Sequence, residues 1–207
     1  MSISIIILII TCGVSLVAFN NAEMMLKLRF NAYEIHNRKQ AYRFLSYGLV
    51  HADAIHLFVN MYVLYNFGHW VEFFYDQYFQ EKGTLFFVIL YVGSLFASVI
   101  PSYEKHKNHA YYNAVGASGA ISAIVFASIL FDPLAPMGLM FLPFRFPAVV
   151  FGIAYLVYSY YMAKKGNDNI GHDAHFFGAL FGIMFTILLN KNIAINFYSQ
   201  LFEWFTR

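Results

Sequence analysis

Charged side chains are scarce in this chain of 207 residues: Asp, Glu, Lys and Arg make up 12% of it, whereas hydrophobic residues make up 60%. Soluble domains are roughly a quarter charged, so this composition excludes a soluble globular protein. The mean hydropathy of +0.56 is typical of a polytopic membrane protein. The formal net charge of +2 is too small to indicate nucleic acid as a partner.

Cysteine is represented once, by Cys12, so an intrachain disulfide cannot form. No basic residue precedes the apolar run around Cys12, and the run is long for a signal peptide, so we expect it to be retained as a first span. No targeting tail, internal repeat or low-complexity segment is visible. The sequence therefore predicts that residues 1–207 form a single transmembrane domain, without a sizeable soluble one.

Long apolar runs are the main feature of the sequence. A membrane-spanning helix needs ~20 mostly apolar residues, and six segments qualify. They lie near residues 2–20, 52–71, 84–101, 114–131, 147–163 and 171–190. The sequence thus predicts an all-α bundle of six transmembrane helices. A polar first loop covers residues 21–50, and a proline-rich hairpin at 132–147 is expected to skim the membrane interface.

A serine with small neighbours opens the fourth span, in Gly116-Ala117-Ser118-Gly119. Ser118 is a candidate nucleophile, because the glycines leave its hydroxyl uncrowded and let backbone N–H groups approach a substrate carbonyl. The same small residues also suit close packing of membrane helices without any chemistry. From this motif alone both interpretations stay open.

A histidine opens the sixth span. His175 shares a helix face with Gly178 and Gly182, and the glycines permit close approach of a neighbouring helix. If that neighbour is the fourth span, Ser118 and His175 come within hydrogen-bond reach, and histidine is the commonest side chain to act as a base. The structural alternative is a buried histidine bonded to a backbone carbonyl.

Two polar residues share a face of the second span. His56 and Asn60 are four residues apart, and they either link helices or donate hydrogen bonds to an oxyanion. Spans two, four and six must run in the same direction, so these residues, Ser118 and His175 lie at similar depth near one membrane face. This agreement favours a single site for hydrolysis inside the membrane.

Metal binding is the chemical alternative. His51, His56, His172 and His175 are potential zinc ligands. However, only two carboxylates lie near them in the sequence, and there is no His-Glu-x-x-His pair. We therefore expect neither a metal nor another cofactor. His51 is expected to make local hydrogen bonds at the mouth of the second span, and His172 to lie in a loop at the membrane surface.

Four motifs, taken in order, resemble those of the rhomboid family of intramembrane serine proteases, bacterial type. They are His56-x-x-x-Asn60-Met61, Phe67-Gly68-x-x-x-Glu72, Gly116-x-Ser118-Gly119 and Ala174-His175-x-x-Gly178-x-x-x-Gly182. The resemblance covers the chain from about Tyr42 to Gly182. The six-span count and the proline-rich hairpin are also similar to those of bacterial members.

The resemblance implies a Ser–His dyad without an acidic third member. Ser118 would attack the scissile carbonyl, while His175 takes its proton and later returns it to the leaving amine. His56, Asn60 and the backbone N–H of Ser118 would stabilise the oxyanion. It further implies transmembrane proteins as substrates, a lipid environment, no cofactor and a location in the bacterial inner membrane.

Two positions depart from the family's pattern. Tyr42 precedes Arg43 where the family has a Trp-Arg pair in its first loop, which is a mild change between interfacial aromatics. Ser122 stands where many members carry an aromatic residue that packs on the catalytic histidine, so we expect a less restrained His175. The rival hypothesis is a rhomboid-like protein that binds membrane clients without cutting them. Such proteins typically lack the Ser–His pair that this chain has.

The basic residues and the resemblance give opposite orientations. If the N-terminus is cytoplasmic, nine of the 13 Lys and Arg residues lie in loops on the face of the predicted site. The positive-inside rule would place that face in the cytoplasm. Bacterial rhomboids usually open their site to the outside, and we follow the resemblance because the first loop is expected to be an ordered element.

Overall fold

The structure, a computed structural model, describes residues 2–138, 144–165 and 171–206. Within these ranges the chain forms α-helices and one short pair of strands, which confirms the all-α class. The helices are α1 (Ile3–Phe19), α2 (Ala22–Leu28), α3 (Ala32–Arg38), α4 (Arg43–Ser46), α5 (Ala54–Phe79), α6 (Gly83–His106), α7 (Ser118–Phe131), α8 (Ala148–Lys165), α9 (His172–Leu189) and α10 (Lys191–Thr206).

Each of the six predicted spans coincides with one of the longer helices, namely α1 and α5 to α9. Among the residues that the structure describes, two stretches are long and apolar enough to cross a membrane by themselves. They are His172–Leu189 and the continuous stretch Ala54–His106, which contains α5, a 3₁₀ turn and α6. Helices α1 and α7 are apolar but shorter, at 17 and 14 residues. The count of six spans therefore stays a prediction.

Helix α7 lies at the centre of the bundle, packed between α5, α6 and α9. Nearly all of its residues are buried. Small residues make this possible: Ala120, Ala123 and Ala127 are completely buried and let the neighbouring helices come close. At its C-terminal end, the Phe131 ring stacks on Phe74 of α5, with centroids 4.7 Å apart. The hydrophobic core thus surrounds the helix that begins with the candidate nucleophile.

Helix α1 is fixed to α5 at one point of close approach. Gly68 of α5 lies against Ser4, and a Cβ atom on Gly68 would be 2.7 Å from the Cβ of Ser4. One turn further along α5, the carboxylate of Glu72 accepts a hydrogen bond from the backbone N–H of Ser4. A carboxylate at a helix N-terminus stabilises the unpaired N–H groups there. The Phe67-Gly68-x-x-x-Glu72 motif therefore serves to hold α1.

The polar segment at 21–50 is an ordered element that contains α2, α3 and α4. Arg43 is buried at its centre and donates hydrogen bonds to the carbonyl oxygens of Leu26 (2.8 Å) and Arg29 (2.7 Å) and to Oε1 of Gln40 (2.6 Å). One guanidinium thus joins three parts of the segment. The segment is held by its own side chains rather than only by its ends.

Three boundaries differ from the sequence prediction. Helix α7 begins at Ser118 and not near 114, because Ala114 pairs with Phe30 in an isolated β-bridge. The 132–147 segment carries two paired strands, β1 (Pro136–Met137) and β2 (Phe146–Pro147), which are antiparallel. The middle of the predicted hairpin, 139–143, lies outside the described residues.

Helix α10 was not predicted at all. Its sequence mixes aromatic and polar residues, so its mean hydropathy does not reach that of a span. It packs across the C-terminal ends of α7 and α5, where Gln200 donates to the carbonyl of Phe131 (3.2 Å) and Asn196 donates to the hydroxyl of Tyr78 (3.0 Å). Helix α10 therefore covers the end of the bundle opposite to the N-terminus of α7.

Candidate active site

The structure brings the two predicted catalytic side chains together. His175 Nε2 and Ser118 Oγ are 2.8 Å apart, which is hydrogen-bond distance. Ser118 is the first residue of α7, and His175 lies in the first turn of α9. Both side chains are half-buried, so they are enclosed by the bundle but still reachable. A serine and a base in this contact are the arrangement of an activated nucleophile.

The distance between these side chains is set by contact between main chains. A Cβ atom on Gly178 would overlap the carbonyl of Gly119, and one on Gly182 would overlap the carbonyl of Ala123. Only glycine at positions 178 and 182 lets α9 approach α7 this closely. The close packing expected from the spacing of the two glycines is present.

The turn before Ser118 depends on Gly116. Its φ of +104° lies in the left-handed region that favours glycine. A Cβ atom there would be 2.5 Å from Cε1 and 2.8 Å from Nε2 of His56. Position 116 therefore requires glycine for two reasons: the backbone has a positive φ, and there is no room for a Cβ atom. The lack of a side chain allows the His56 imidazole to lie against the turn.

Helix α7 presents its N-terminus to the same place. The N-cap residue Ala117 makes no side-chain capping bond, and the first N–H groups of a helix have no partner within it. These groups carry a partial positive charge that favours a developing anion. The backbone N–H of Ser118, one of the predicted oxyanion donors, belongs to this set.

Asn60 lies one turn along α5 from His56 and is buried. Its Nδ2 donates a hydrogen bond to the carbonyl of His56 over 3.0 Å. An amide has two N–H donors, so the oxyanion role predicted for Asn60 would use the second one. His56 and Asn60 share a helix face, as their spacing indicated, and His56 is the one directly against the turn at Gly116.

The segment that leads to Ser118 is clamped by the polar segment at 21–50. Phe30 and Ala114 exchange two backbone hydrogen bonds, of 2.9 and 3.1 Å, and the N–H of Gly116 donates to the carbonyl of Tyr47 over 3.0 Å. These bonds fix the main chain on the N-terminal side of the candidate nucleophile, Ser118. The polar segment at 21–50 thus positions the candidate site, and none of the predicted site residues lies in it.

His51 does more than the local role predicted for it. The Ser15 hydroxyl of α1 donates to the carbonyl of Leu49 (2.8 Å) and lies 3.0 Å from His51 Nδ1. Because that hydroxyl proton is already used, Nδ1–H donates to Ser15, and Nε2 accepts from the N–H of Ala117 (3.4 Å). One neutral imidazole therefore links α1 to the residue just before Ser118. Sequence reasoning missed this because both partners are distant in the chain.

The prediction for His172 was wrong. His172 is the first residue of α9 and is buried, instead of lying in a surface loop. Its ring packs edge-on against the imidazole of His175, with centroids 5.9 Å apart and an angle of 80° between the planes. Its neighbour Asp173 ties the start of α9 to α6 by accepting a hydrogen bond from the Ser102 hydroxyl (2.5 Å).

Helix α8, to which the sequence analysis assigned no site residue, supplies a ring beside His175. Ser122 carries no ring, but Tyr155 of α8 stacks on the imidazole of His175, with centroids 6.1 Å apart and planes 24° apart. The hydroxyls of Tyr155 and Ser122 are 2.8 Å apart and hydrogen-bonded. Tyr155 was not identified from the sequence because it is one of several tyrosines in an apolar helix.

Together these features define a helical membrane protein in which a serine at the start of a buried helix is paired with a histidine. A family model described as "Rhomboid domain" matches residues 38–192, more than two thirds of the chain. The chain belongs to the rhomboid family and is an integral membrane protein. The matched range contains all four motifs. A search of curated proteins found no match.

The glycine contact between α7 and α9 gives the first prediction. Gly182→Val should lower the melting temperature Tm in detergent, because its side chain would collide with the Ala123 main chain and force α9 away. Overpacking of this kind costs about 1–3 kcal/mol. Gly13→Ala is the matched control, since Gly13 lies in α1 with nothing within 4 Å of a Cβ atom. Equal Tm values for the two variants would contradict the close contact.

Burial of His51 gives the second prediction. Burial, with the neighbouring His56 imidazole, lowers the pKa of His51 to about 3, whereas the pKa of an unfolded histidine is about 6.5. Between these values only the unfolded chain binds the proton, so stability falls as the pH falls from 6.5 toward 3. His51→Gln should reduce this loss of Tm on acidification. His36→Gln, which makes the same change at an exposed position of α3, is the control. A His51→Gln slope equal to wild type would refute the assignment.

Proposed function

We propose that this protein is an intramembrane serine endopeptidase that cleaves peptide bonds in or near transmembrane segments of membrane proteins. The rhomboid family consists generally of intramembrane serine proteases, although some members are inactive. The observation that carries the proposal is the 2.8 Å contact between Ser118 Oγ and His175 Nε2. Inactive relatives typically lack this pair.

The chemistry follows from the two side chains. As Ser118 Oγ attacks the scissile carbonyl carbon, its proton passes to His175 Nε2, and the carbonyl oxygen becomes an oxyanion. The C–N bond then breaks, and the amine leaves with the proton from His175. A water molecule, deprotonated by His175, attacks the resulting ester. Return of that proton to Ser118 Oγ releases the carboxyl product and restores the enzyme.

The surroundings of Ser118 suit the oxyanion. The N-terminus of α7 directs backbone N–H groups to this place, and the His56 imidazole lies against the turn at Gly116. We assign the oxyanion to the backbone N–H of Ser118 and to the side chains of His56 and Asn60. Donors that are fixed before the reaction stabilise the developing charge without having to reorient. No cofactor is required by this set of groups.

The length of α7 supports cleavage within the membrane. A helix of 14 residues is ~21 Å long, which is less than the ~30 Å of the hydrocarbon core. Its C-terminal end lies beside α10, whose exposed Tyr198 and Trp204 suit a membrane interface. With that end at one surface, Ser118 lies below the opposite surface, at the depth of a substrate's transmembrane segment.

The substrate class follows from this depth. A peptide in a regular helix cannot present its carbonyl to a nucleophile, so segments with helix-breaking residues should be preferred. We further propose a multi-pass location in the bacterial inner membrane, with the site opening away from the cytoplasm. Lipids and transmembrane proteins are the expected partners.

The nucleophile can be tested without a known substrate. The purified protein in detergent is incubated with a fluorophosphonate probe, and labelling is compared among wild type, Ser118→Ala and His175→Ala. Both variants should lose labelling, by more than ~10³-fold in rate, while their Tm stays near that of wild type. His36→Ala, at an exposed position, is the control. A folded wild type that is not labelled would favour the rival, a protein that binds membrane clients without cutting them.

The oxyanion assignment has a matched pair of variants. Asn60→Ala should lower the rate of cleavage by ~10²–10³-fold with little change in Tm. Asn66→Ala is the control, because Asn66 of the same helix donates in the same way, to the carbonyl of Tyr62 (2.7 Å), but is exposed. If both variants cleave a model transmembrane substrate equally fast, Asn60 has no part in the reaction.

A further inference from the structure

We infer that Tyr155 of α8, held by Ser122 of α7, is a positioning residue for the catalytic histidine. This inference rests on the proposed function. It assigns to α8, which contributes neither the nucleophile nor the base, a part in aligning the base. It is supported by two observations, the ring contact between Tyr155 and His175 and the hydrogen bond between Tyr155 and Ser122.

The Tyr155 ring is one of several groups that surround the imidazole of His175. The imidazole of His175 is bonded to Ser118 at Nε2 and meets the edge of His172. The Tyr155 ring lies beside it, with centroids 6.1 Å apart and planes 24° apart. A ring in this position restricts rotation of the imidazole about its side-chain bonds, because other orientations would collide with the phenol. The Nε2 atom is thereby kept directed at Ser118.

The phenol is itself held at both ends. Its hydroxyl is 2.8 Å from Ser122 Oγ, and its ring packs on Phe126 of α7, with centroids 5.9 Å apart. Ser122 and Phe126 follow Ser118 by one and two helical turns, so they lie on the same side of α7. The helix that carries the nucleophile therefore also fixes the ring that aligns the base.

The backbone of α8 is placed to make this possible. Gly152 precedes Tyr155 by three residues and shares its helix face. A Cβ atom on Gly152 would be 2.9 Å from Cδ1 of Ile129, so α8 lies close against α7 at this point. The opposite side of α8 is exposed, at Ile153, Val157 and Tyr161. Tyr155 is thus directed inward, toward α7 and His175.

Alignment of the base consequently depends on three helices. Ser118 comes from α7, His175 from α9 and the stacking ring from α8. A displacement of α8 would remove the ring from His175 while leaving the contact between α7 and α9 in place. The position of α8 is therefore coupled to the efficiency of the nucleophile, without any change in the residues that react.

The first test separates the ring from its hydroxyl. Tyr155→Leu should lower the rate of fluorophosphonate labelling by ~10–10²-fold, the loss expected when a reacting group is slightly misplaced. Tyr155→Phe keeps the ring and should lose less than ~10-fold, as expected for one hydrogen bond. In cleavage of a transmembrane substrate, Tyr155→Leu should lower kcat and leave KM nearly unchanged. A purely structural role would instead lower Tm and the yield of folded protein, without a selective loss of kcat.

The second test examines the hydrogen bond. Ser122→Ala and Tyr155→Phe remove the same bond from its two ends, so the double variant should be no slower than the slower single variant. This cycle remains informative if Tyr155→Leu fails to fold, because both substitutions are small. Effects that multiply in the double variant would show that the two hydroxyls act independently and would overturn the assignment.

The control variant is Tyr161→Leu, which makes the same change on the exposed side of α8 and should be labelled like wild type. The inference is overturned if Tyr155→Leu is labelled as fast as wild type, or if Tyr155→Phe is as slow as Tyr155→Leu. In both cases a labelled wild type leaves the proposed function intact. A folded wild type that is not labelled overturns the proposed function and this inference with it.

Discussion

The contact between the main chains of α7 and α9 is the constraint on which the rest of the site depends. Gly178 and Gly182 place α9 directly on the carbonyl groups of Gly119 and Ala123. In a membrane, helices gain little from hydrophobic association, so close packing and interhelical hydrogen bonds must hold them together. The Ser118–His175 hydrogen bond uses the proximity that the glycines create. The chemistry and the packing are thus two results of one contact.

A second layer of polar contacts holds the main chain that leads to Ser118. Arg43 organises the segment at 21–50, and that segment in turn clamps residues 114–116 by backbone bonds. His51 completes the clamp by linking Ser15 to Ala117. Groups that are costly to bury are each satisfied by a specific partner here. Polar side chains from separate parts of this apolar chain, Arg43, His51 and Ser15, therefore serve to fix a short turn.

The sequence predicted the features that depend on local spacing of residues. The pairing of Ser118 with His175 followed from small residues on one helix and glycines four apart on another. It missed features decided by contacts distant in the chain: the start of α7, set by the bridge to Phe30, and the reach of His51. It also missed α10, whose mixture of aromatic and polar residues has no clear hydropathy signal. Tyr155 could not be distinguished from its neighbouring tyrosines without the position of α8.

The ring beside His175 also bears on how this chain can change by mutation. Tyr155 of α8 supplies a ring beside His175, while position 122 carries a small serine that is hydrogen-bonded to Tyr155. An aromatic residue introduced at position 122 alone would compete with Tyr155 for the same volume, and such overpacking costs about 1–3 kcal/mol. Loss of Tyr155 alone would leave the space empty. Because Tyr155 and Ser122 are hydrogen-bonded to each other, we expect substitutions at the two positions to affect each other.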